Sequence, residues 1–199
     1  MQATSLTKTA LKHERDALRR FERYLPTLRI KKQQIQRELD RARAELDLVR
    51  KDLGGLLGEV DGWAELLAED VPLEGLLGPV RMEVAWENVA GVDVPVFAGV
   101  EVAIVRYDLE RTPLWVDRAL VVLRKVVELV SREQVLEERR RRLGRELRTA
   151  AQRVNLFERI KIPEAQGNIR HIAVHLGDQQ TAAFGWALRS RRKATGGTA

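Results

Sequence analysis

A 3-4 repeat of apolar residues keeps one register through the first third of the chain. Fifteen of the seventeen positions in this seam are apolar, and only Glu14 and Lys32 interrupt it. The seam positions are Leu11, Glu14, Leu18, Phe21, Leu25, Leu28, Lys32, Ile35, Leu39, Ala42, Leu46, Val49, Leu53, Leu56, Val60, Trp63 and Leu67. A repeat held for about eight heptads is typical of a left-handed coiled coil. Because a long thin hairpin of helices offers little concave surface for chemistry, the pattern favours a mechanical or scaffolding role.

The same kind of periodicity returns later in the chain and predicts a second helical arm. The first arm is predicted at 5–69, an acidic connector at 70–112, and the second arm at 113–193. Pro113 is a normal entry into a first helical turn. The short glycine-rich tail at 194–199 is predicted to be disordered.

The connector carries the pattern of a β-hairpin. It is rich in valine, alternates in polarity and is punctuated by Gly91 and Gly99, while Pro95 indicates an edge strand or a bulge. An isolated hairpin is marginal in water, so we expect it to lean on the helices or on a partner. The predicted fold class is therefore mainly α: a long antiparallel two-helix coiled coil with a short β-hairpin insert at the bend.

Two prolines lie inside the predicted helices, Pro26 in the first and Pro163 in the second. An interior proline removes one backbone hydrogen bond and usually kinks a helix. In an antiparallel pair with this connector, facing residue numbers sum to roughly 182–186, so Pro26 lies about one turn from the level of Pro163. We predict that both helices bend together there; the sequence leaves open whether they bend or break.

The net charge of +6 hides a division along the chain. Residues 1–53 carry a net charge of +6 and residues 136–199 a net charge of +8, whereas residues 54–110 carry −10. If the arms fold back on each other, both basic arms run together and the acidic segment lies at the bend. Such a polar rod suits two different partners, one at each end.

Motifs that carry chemistry are largely missing. With no cysteine, disulfides and Cys-based zinc sites are excluded. No phosphate-binding G-x-x-x-x-G-K-[ST] loop occurs, and no apolar run is long enough to cross a bilayer. His171 and His175 have a two-ligand zinc spacing, but without an acidic third ligand nearby they are interpreted as surface or packing histidines. We predict no catalytic, cofactor-binding or metal-binding residue.

The run Arg139–Arg142 has two interpretations. It is either a solvated stretch balanced by Glu137, Glu138 and Glu146, which is the commoner outcome, or a basic belt that contacts an acidic protein surface or nucleic acid. No aromatic residues interleave with these arginines, which argues against nucleic acid. The stretch from Arg132 to Arg142 is also poor in apolar residues, so we expect the seam to be polar or loosened there.

Three tryptophans, Trp63, Trp86 and Trp115, fall near the predicted bend. They either pack the hairpin against the helix ends or form the centre of a protein interface, where tryptophan is enriched. The sequence does not separate these two alternatives.

Part of the second arm resembles a known family. "TAAQRVNLFERIKIPEAQGNIRHIAVHLGDQQTAA" is similar to the C-terminal helix of the D subunits of V-type ATP synthases and ATPases, whose pattern is R-V-N-x-[LF]-E, then I-P, then I-x-x-I and L. The matching residues here are Arg153-Val154-Asn155-Leu156-Phe157-Glu158, Ile162-Pro163, Ile169, Ile172 and Leu176. "TKTAL" near the start and "VAWENVAGVDVPVF" resemble the opening and the central hairpin of that family.

The resemblance implies a non-catalytic rotor shaft that couples ion flow through a membrane ring to ATP synthesis or hydrolysis. The implied partners are the hexamer of catalytic A and B subunits, the F subunit of the rotor, and a funnel-shaped C subunit that leads to the membrane ring. It also implies a cytoplasmic location at the membrane without insertion, and neither a cofactor nor nucleic acid. We hypothesise that partner contacts involve Arg139, Arg140, Arg141, Arg142, Arg153, Asn155, Glu158 and Gln179.

The competing interpretation is a generic coiled-coil adaptor or a basic nucleic-acid-binding rod; an enzyme with its own active site is a distant third, because no paired catalytic constellation is present. The sequence determines neither the coupling ion, H⁺ or Na⁺, nor the direction of the reaction, nor the individual contacts with the hexamer.

Overall fold

The chain is mainly helical, with one β-hairpin between two long helical arms, which confirms the predicted fold class. The computed structural model describes residues 5–62, 76–105, 107–108, 112–113 and 115–195. Its elements are α1 (Lys8–Asp61), β1 (Leu77–Val89), β2 (Val92–Ile104), α2 (Trp115–Leu156), a π-helical turn (Phe157–Lys161) and α3 (Ile162–Thr195). Trp63, Leu67 and the predicted end of the first arm lie outside the described residues. The chain divides into two units, residues 1–30 with 150–199, and residues 31–149.

Helix α1 buries the predicted seam. None of the fifteen seam positions from 11 to 60 is exposed, and the central ones, from Ile35 to Val49, are buried. The helix begins where Thr7 caps it: the Thr7 hydroxyl accepts from the Ala10 N–H at 3.1 Å. Pro26 lies within an uninterrupted helix, so the proline does not break α1. The heptad pattern therefore correctly predicts which side chains of α1 face inwards.

The core of unit 31–149 joins three elements. Ile35 and Leu39 of α1, Leu143 of α2 and Val94 of β2 are at most 2 % exposed, and Ala42 completes the cluster. The hairpin turn, with Val89, Ala90 and Val92, packs on this cluster. The hairpin leans on the helices, as expected, but its turn lies beside the middle of α1 and α2. The expectation that the whole acidic segment lies at the bend is therefore wrong, because the valine-rich strand gains more by burying apolar surface on the seam.

The turn of the hairpin needs backbone angles that few residues adopt. Ala90 and Gly91 have φ of 51° and 80°, as in a two-residue type I′ turn, whose twist matches that of the strands it joins. The side-chain oxygen of Asn88 accepts from the Gly91 N–H at 3.0 Å and supports the turn. Pro95 lies opposite Trp86 in a two-stranded sheet, where both strands are edges and a missing N–H is tolerated.

The seam continues through the arginine-rich part of α2, contrary to the expectation that it loosens there. Leu136, with Leu46 and Val49 of α1, forms a second buried cluster, and Val135 is buried too. Ser131 is the one buried polar residue among those described. The two apolar residues in the stretch are enough to hold the helices together, because they fall on the inner face.

In unit 1–30 with 150–199, α1 packs against the end of α2 and against α3. The Phe21 and Phe157 rings lie 5.3 Å apart at an interplanar angle of 46°, and the Arg29 Nε–Glu158 Oε1 distance is 2.6 Å. Both pairs join α1 to the π-helical turn. The buried side chains of this unit are those of Ala17, Leu25, Ala150, Val154, Ala165 and Ile172.

The π-helical turn just before Pro163 explains how the second arm passes this proline without a break. The Ile162 N–H donates to the Phe157 carbonyl, a bond to the fifth residue back. Such a turn inserts one extra residue, so it shifts the inner face of the helix by one position. A 3-4 count from Leu143 without this shift falls on Lys161, Glu164, Asn168, His171 and His175. The inner positions observed are Ala165, Ile169, Ile172 and Leu176.

Candidate functional site

The four consecutive arginines of α2, Arg139–Arg142, all bind carboxylates of the same chain. Arg140 and Arg141 pair with Glu137 and Glu138 three residues earlier on the helix. Arg142 pairs with Glu138 at 2.7 Å. These contacts support the interpretation of the run as a balanced stretch, since each positive charge has an internal counter-charge.

Arg139 joins three elements through its side chain. Its Nη2 lies 3.3 Å from Glu38 on α1 and 3.3 Å from Glu87 on β1. The side chain is only 15 % exposed, which makes this ion pair less screened than one at the surface. Arg139 therefore fastens the hairpin to both helices.

Arg142, at the other end of the arginine run, also contacts the hairpin. Its guanidinium lies 4.7 Å from the centroid of the Trp86 ring, in cation–π distance, and it donates to the Asp93 carbonyl at 3.4 Å. Trp86, predicted to lie near the bend, instead lies beside this part of α2. Trp86 is 59 % exposed, so its ring stacks with the arginine at the surface and is not part of the core.

The ion pairs of the run change the acidity of two glutamates. The hydrogen bond from Arg140 lowers the pKa of Glu137 below its usual value. Hydrogen bonds from Arg142 and Arg141 lower the pKa of Glu138 in the same direction. Both carboxylates are therefore held in the charged form that the arginines need.

The other residues predicted to contact partners lie in unit 1–30 with 150–199, and they differ in their availability. Arg153 and Asn155 are exposed on the last turns of α2. Glu158 already binds Arg29, and the Gln179 amide bonds the His175 ring at 2.9 Å. Arg153 and Asn155 are thus the members of this set that face solvent with no ion pair or hydrogen bond from their side chains to the rest of the described chain.

The end of α3 exposes large apolar side chains, a feature that the apolar pattern of the second arm does not reveal. Phe184, Trp186 and Leu188 are 69 %, 73 % and 51 % exposed, and every side chain from 177 to 191 is exposed. The Phe21–Phe157 contact places Lys8 level with about residue 170 to 177, so α3, which ends at Thr195, runs on for roughly 27–37 Å past the start of α1. Counting the antiparallel register from the two chain ends would have revealed this overhang.

An open cleft of about 370 Å³ lies where β2 ends and α2 begins. Ile104, Leu120 and Val121 line it, and the Tyr107 hydroxyl donates to Asp117 at its edge. That hydrogen bond raises the pKa of Tyr107. Among the described residues that line the cleft, the hydroxyl next to a carboxylate is that of Tyr107, and because its pKa is raised it is a poor nucleophile, so the geometry does not indicate a reaction.

The described part of the chain contains no group of three histidine, aspartate or glutamate residues placed to hold a metal ion. His175 is bonded to Gln179, and His171 is exposed. Nor does any described helix combine the length and hydropathy needed to span a bilayer. The features that stand out are therefore surfaces: the arginine run with the hairpin, and the apolar end of α3.

Comparison with known proteins identifies the family. The model of the family of ATP synthase D subunits matches residues 10–191. The chain belongs to this family. The D subunit of a V-type ATP synthase from Borreliella burgdorferi is 38 % identical over 183 residues, which cover 92 % of this chain and 91 % of the relative. Proteins of the same description from Chlamydia abortus and Chlamydia pneumoniae are 34 % and 33 % identical, each over 94 % of this chain and over 92 % and 91 % of the relative.

The family match covers both arms and the hairpin. The resemblance to the D subunits, first seen at Arg153–Glu158 and Ile162-Pro163, is confirmed for the chain as a whole. Those residues flank or form the π-helical turn, where Phe157 and Glu158 contact α1. The stretch on which the sequence resemblance rests is thus also the joint between α2 and α3.

Proposed function

We propose that this chain is the central rotor shaft of a V-type ATP synthase or ATPase. In this role it couples ion translocation through a membrane ring to ATP synthesis or hydrolysis by rotating within a hexamer of catalytic A and B subunits. The support is family membership over residues 10–191 together with the buried heptad seam of α1. Two helices packed along a continuous seam resist twisting better than one, as a shaft must.

The observation that carries the proposal is the exposed apolar end of α3. Phe184 and Leu188, one turn apart on α3, and Trp186, on the opposite side of the helix, are turned to solvent and have no partner among the described residues of their own chain. Exposed apolar patches of this kind mark protein contacts, and aromatic residues are enriched in the energetic centres of interfaces. In the proposed role this end of the shaft is enclosed by the catalytic hexamer.

The other proposed partners follow from the family. At the opposite end the shaft binds the F subunit of the rotor and, through the funnel-shaped C subunit, the membrane ring. The chain itself is non-catalytic, needs no cofactor, and works on the cytoplasmic side as a peripheral part of a membrane-bound complex. Contacts with partners through Arg139–Arg142, Arg153, Asn155, Glu158 and Gln179 stay a prediction.

A generic coiled-coil adaptor or nucleic-acid-binding rod is the alternative. It predicts self-association or strongly salt-dependent binding to DNA. The rotor predicts one copy of this chain in each A/B hexamer and no need for a homodimer.

Native mass spectrometry of the chain mixed with the A and B subunits of the same organism tests the proposal. We expect one copy per hexamer and a changed rate of ATP hydrolysis. A double variant, Phe184→Ala with Trp186→Ala, should weaken this binding by about 10-fold or more, because each removes an exposed aromatic contact. The matched control is Tyr24→Ala with Leu48→Ala, which removes side chains 58 % and 62 % exposed elsewhere. A homodimer with no hexamer complex would contradict the rotor.

A further inference from the structure

The first turns of α1 carry a row of positive side chains on one face, here named the cationic stripe. Its members are Lys8, Lys12, Arg15, Arg19 and Arg23, at intervals of four, three, four and four residues. Residues at these intervals are neighbours on the surface of a helix. All five are exposed. The stripe adjoins the seam without being part of it.

The side chains of the stripe form no ion pair within the described structure. None of its five side chains has a carboxylate within 4 Å, whereas Arg29 and all four residues of Arg139–Arg142 do. Asp16 and Glu22 are on the same stretch of helix but pair with none of the five. The arginines at 139–142 are thus paired with carboxylates of the chain, whereas the side chains of the cationic stripe are not.

This arrangement opposes the stability of the isolated helix in two ways. Like charges three or four residues apart repel each other along the stripe. Cations near a helix N-terminus also oppose its dipole, and α1 has no acidic residue in its first turn to compensate. Neither effect stabilises any other part of the described chain. An external negative surface would remove both.

We propose that the cationic stripe binds carboxylate side chains lining a protein surface of the catalytic subunits. This inference rests on the rotor function proposed above and assigns the face of the shaft that meets those subunits. Protein carboxylates are favoured over nucleic-acid phosphates because no aromatic side chains alternate with the stripe to stack on bases: Phe21 packs on Phe157. Long, exposed cations can also exchange one carboxylate for the next without a pocket, as a turning shaft requires.

The test compares two triple variants with the same change in net charge. The stripe variant is Lys12→Gln, Arg15→Gln and Arg19→Gln. The control is Arg37→Gln, Arg145→Gln and Arg148→Gln, three exposed residues in unit 31–149 that also lack a described ion-pair partner. Glutamine keeps a good helix propensity at every site, and circular dichroism checks the helix content of both. Affinity for the A/B hexamer is measured at several salt concentrations.

We expect the stripe variant to bind about 10-fold more weakly than the wild type at low salt, with a flatter dependence on salt, because three screened attractions are lost. The control should stay within about twofold of the wild type, since surface charges outside an interface act weakly. Equal affinities for the two variants would overturn the stripe proposal while leaving the rotor intact. Failure of the wild type to bind the hexamer would instead overturn the proposed function.

A second measurement decides between protein and nucleic acid. Binding of the wild type to a fluorescent DNA duplex is followed by anisotropy at the same salt concentrations. We expect it to be at least about 100-fold weaker than hexamer binding at physiological salt. DNA binding as tight as hexamer binding, and lost in the stripe variant alone, would assign the stripe to phosphates and contradict the proposal.

Discussion

The chain uses its basic side chains in opposite ways in its two units. In unit 31–149 the run Arg139–Arg142 is neutralised by glutamates of α1, α2 and β1. In unit 1–30 with 150–199 the cationic stripe has no described carboxylate partner. In the sequence, the four adjacent arginines form a dense run of positive charge, and a partner-binding belt is one of the two interpretations of that run. The comparison teaches that the density of charge along a chain says little about its availability, which depends on what the fold places opposite.

The same contrast holds for apolar side chains. Leu143 of α2 is fully buried in a three-element core, while Trp186 of α3 is 73 % exposed. Both belong to the second helical arm of the chain, Leu143 in α2 and Trp186 in α3. Burial here is decided by whether a second helix reaches the same level.

The largest expected effect is the loss of the three-element core. Leu143→Ala should lower the free energy of unfolding by about 2–5 kcal/mol, because it leaves a cavity between α1, α2 and the hairpin. Urea unfolding followed by far-UV circular dichroism measures this. Leu48→Ala is the matched control: Leu48 is 62 % exposed on α1, and its loss should cost less than about 0.5 kcal/mol. Similar losses for the two variants would show that unit 31–149 is not held by this core.

The next largest effect on the free energy of unfolding is expected from Arg139. It allows a half-buried and an exposed arginine of the same run to be compared. Arg139→Gln should cost about 1–3 kcal/mol, because Glu38 and Glu87 lose their shared partner. Arg141→Gln removes a side chain that is 66 % exposed and should cost less than about 1 kcal/mol. The same urea titration compares them. If Arg141→Gln proved the more damaging, the hairpin would not depend on Arg139.

A gain in stability is expected from the glycines of α1. Gly54 and Gly55 lie inside the helix, and an added Cβ would meet nothing within 4 Å. Gly54→Ala and Gly55→Ala should each stabilise by about 0.5–1 kcal/mol, through helix propensity alone. Gly91→Ala is the control in the opposite direction, because its φ of 80° strains any side chain. A thermal melt of each variant gives the sign directly.

The smallest expected effect is a dependence on pH from the glutamates of the run. The pKa values of Glu137 and Glu138 are lowered in the folded chain, so their contribution is complete above the usual value of 4.5 and is lost as pH falls through the folded pKa. Urea midpoints from about pH 7 to about pH 3 should fall less steeply in Glu137→Gln with Glu138→Gln than in the wild type. The exposed, unpaired Glu45 and Glu59 provide the control pair. A steeper fall of the urea midpoint in the double variant would contradict the prediction that these two glutamates stabilise the fold in their charged form.

Much of the fold follows from local pattern. The heptad count from Leu11 identifies the inner face of α1 as far as Val60, and the valine alternation around Gly91 identifies the hairpin. These succeed because burial on one stripe or one strand face repeats at a fixed spacing in the sequence. The family resemblance of Arg153–Glu158 is likewise visible in the residues themselves.

What the sequence conceals depends on contacts between distant segments. The pairing of Arg140–Arg142 with Glu137 and Glu138 follows helical spacing. Arg139, however, meets Glu38 and Glu87, which lie 101 and 52 residues away, so no spacing rule predicts its partners. Trp86 reaches Arg142 because the hairpin lies along the helices. The candidate surfaces at Phe184 and at the cationic stripe are likewise defined by what α1 and α3 leave uncovered.

The π-helical turn at Phe157–Lys161 has a consequence for how the length of this arm can change. Removing one residue there would restore an unbroken 3-4 count from Leu143 to Leu176 in plain α-helix. The turn therefore looks like the result of inserting a single residue. The π-helical turn accommodates the extra residue locally, so the apolar faces of α2 and α3 both still point towards α1. Natural indels between Leu143 and Leu176 should fall within these five residues, since elsewhere in that stretch one codon would rotate an apolar face away from α1.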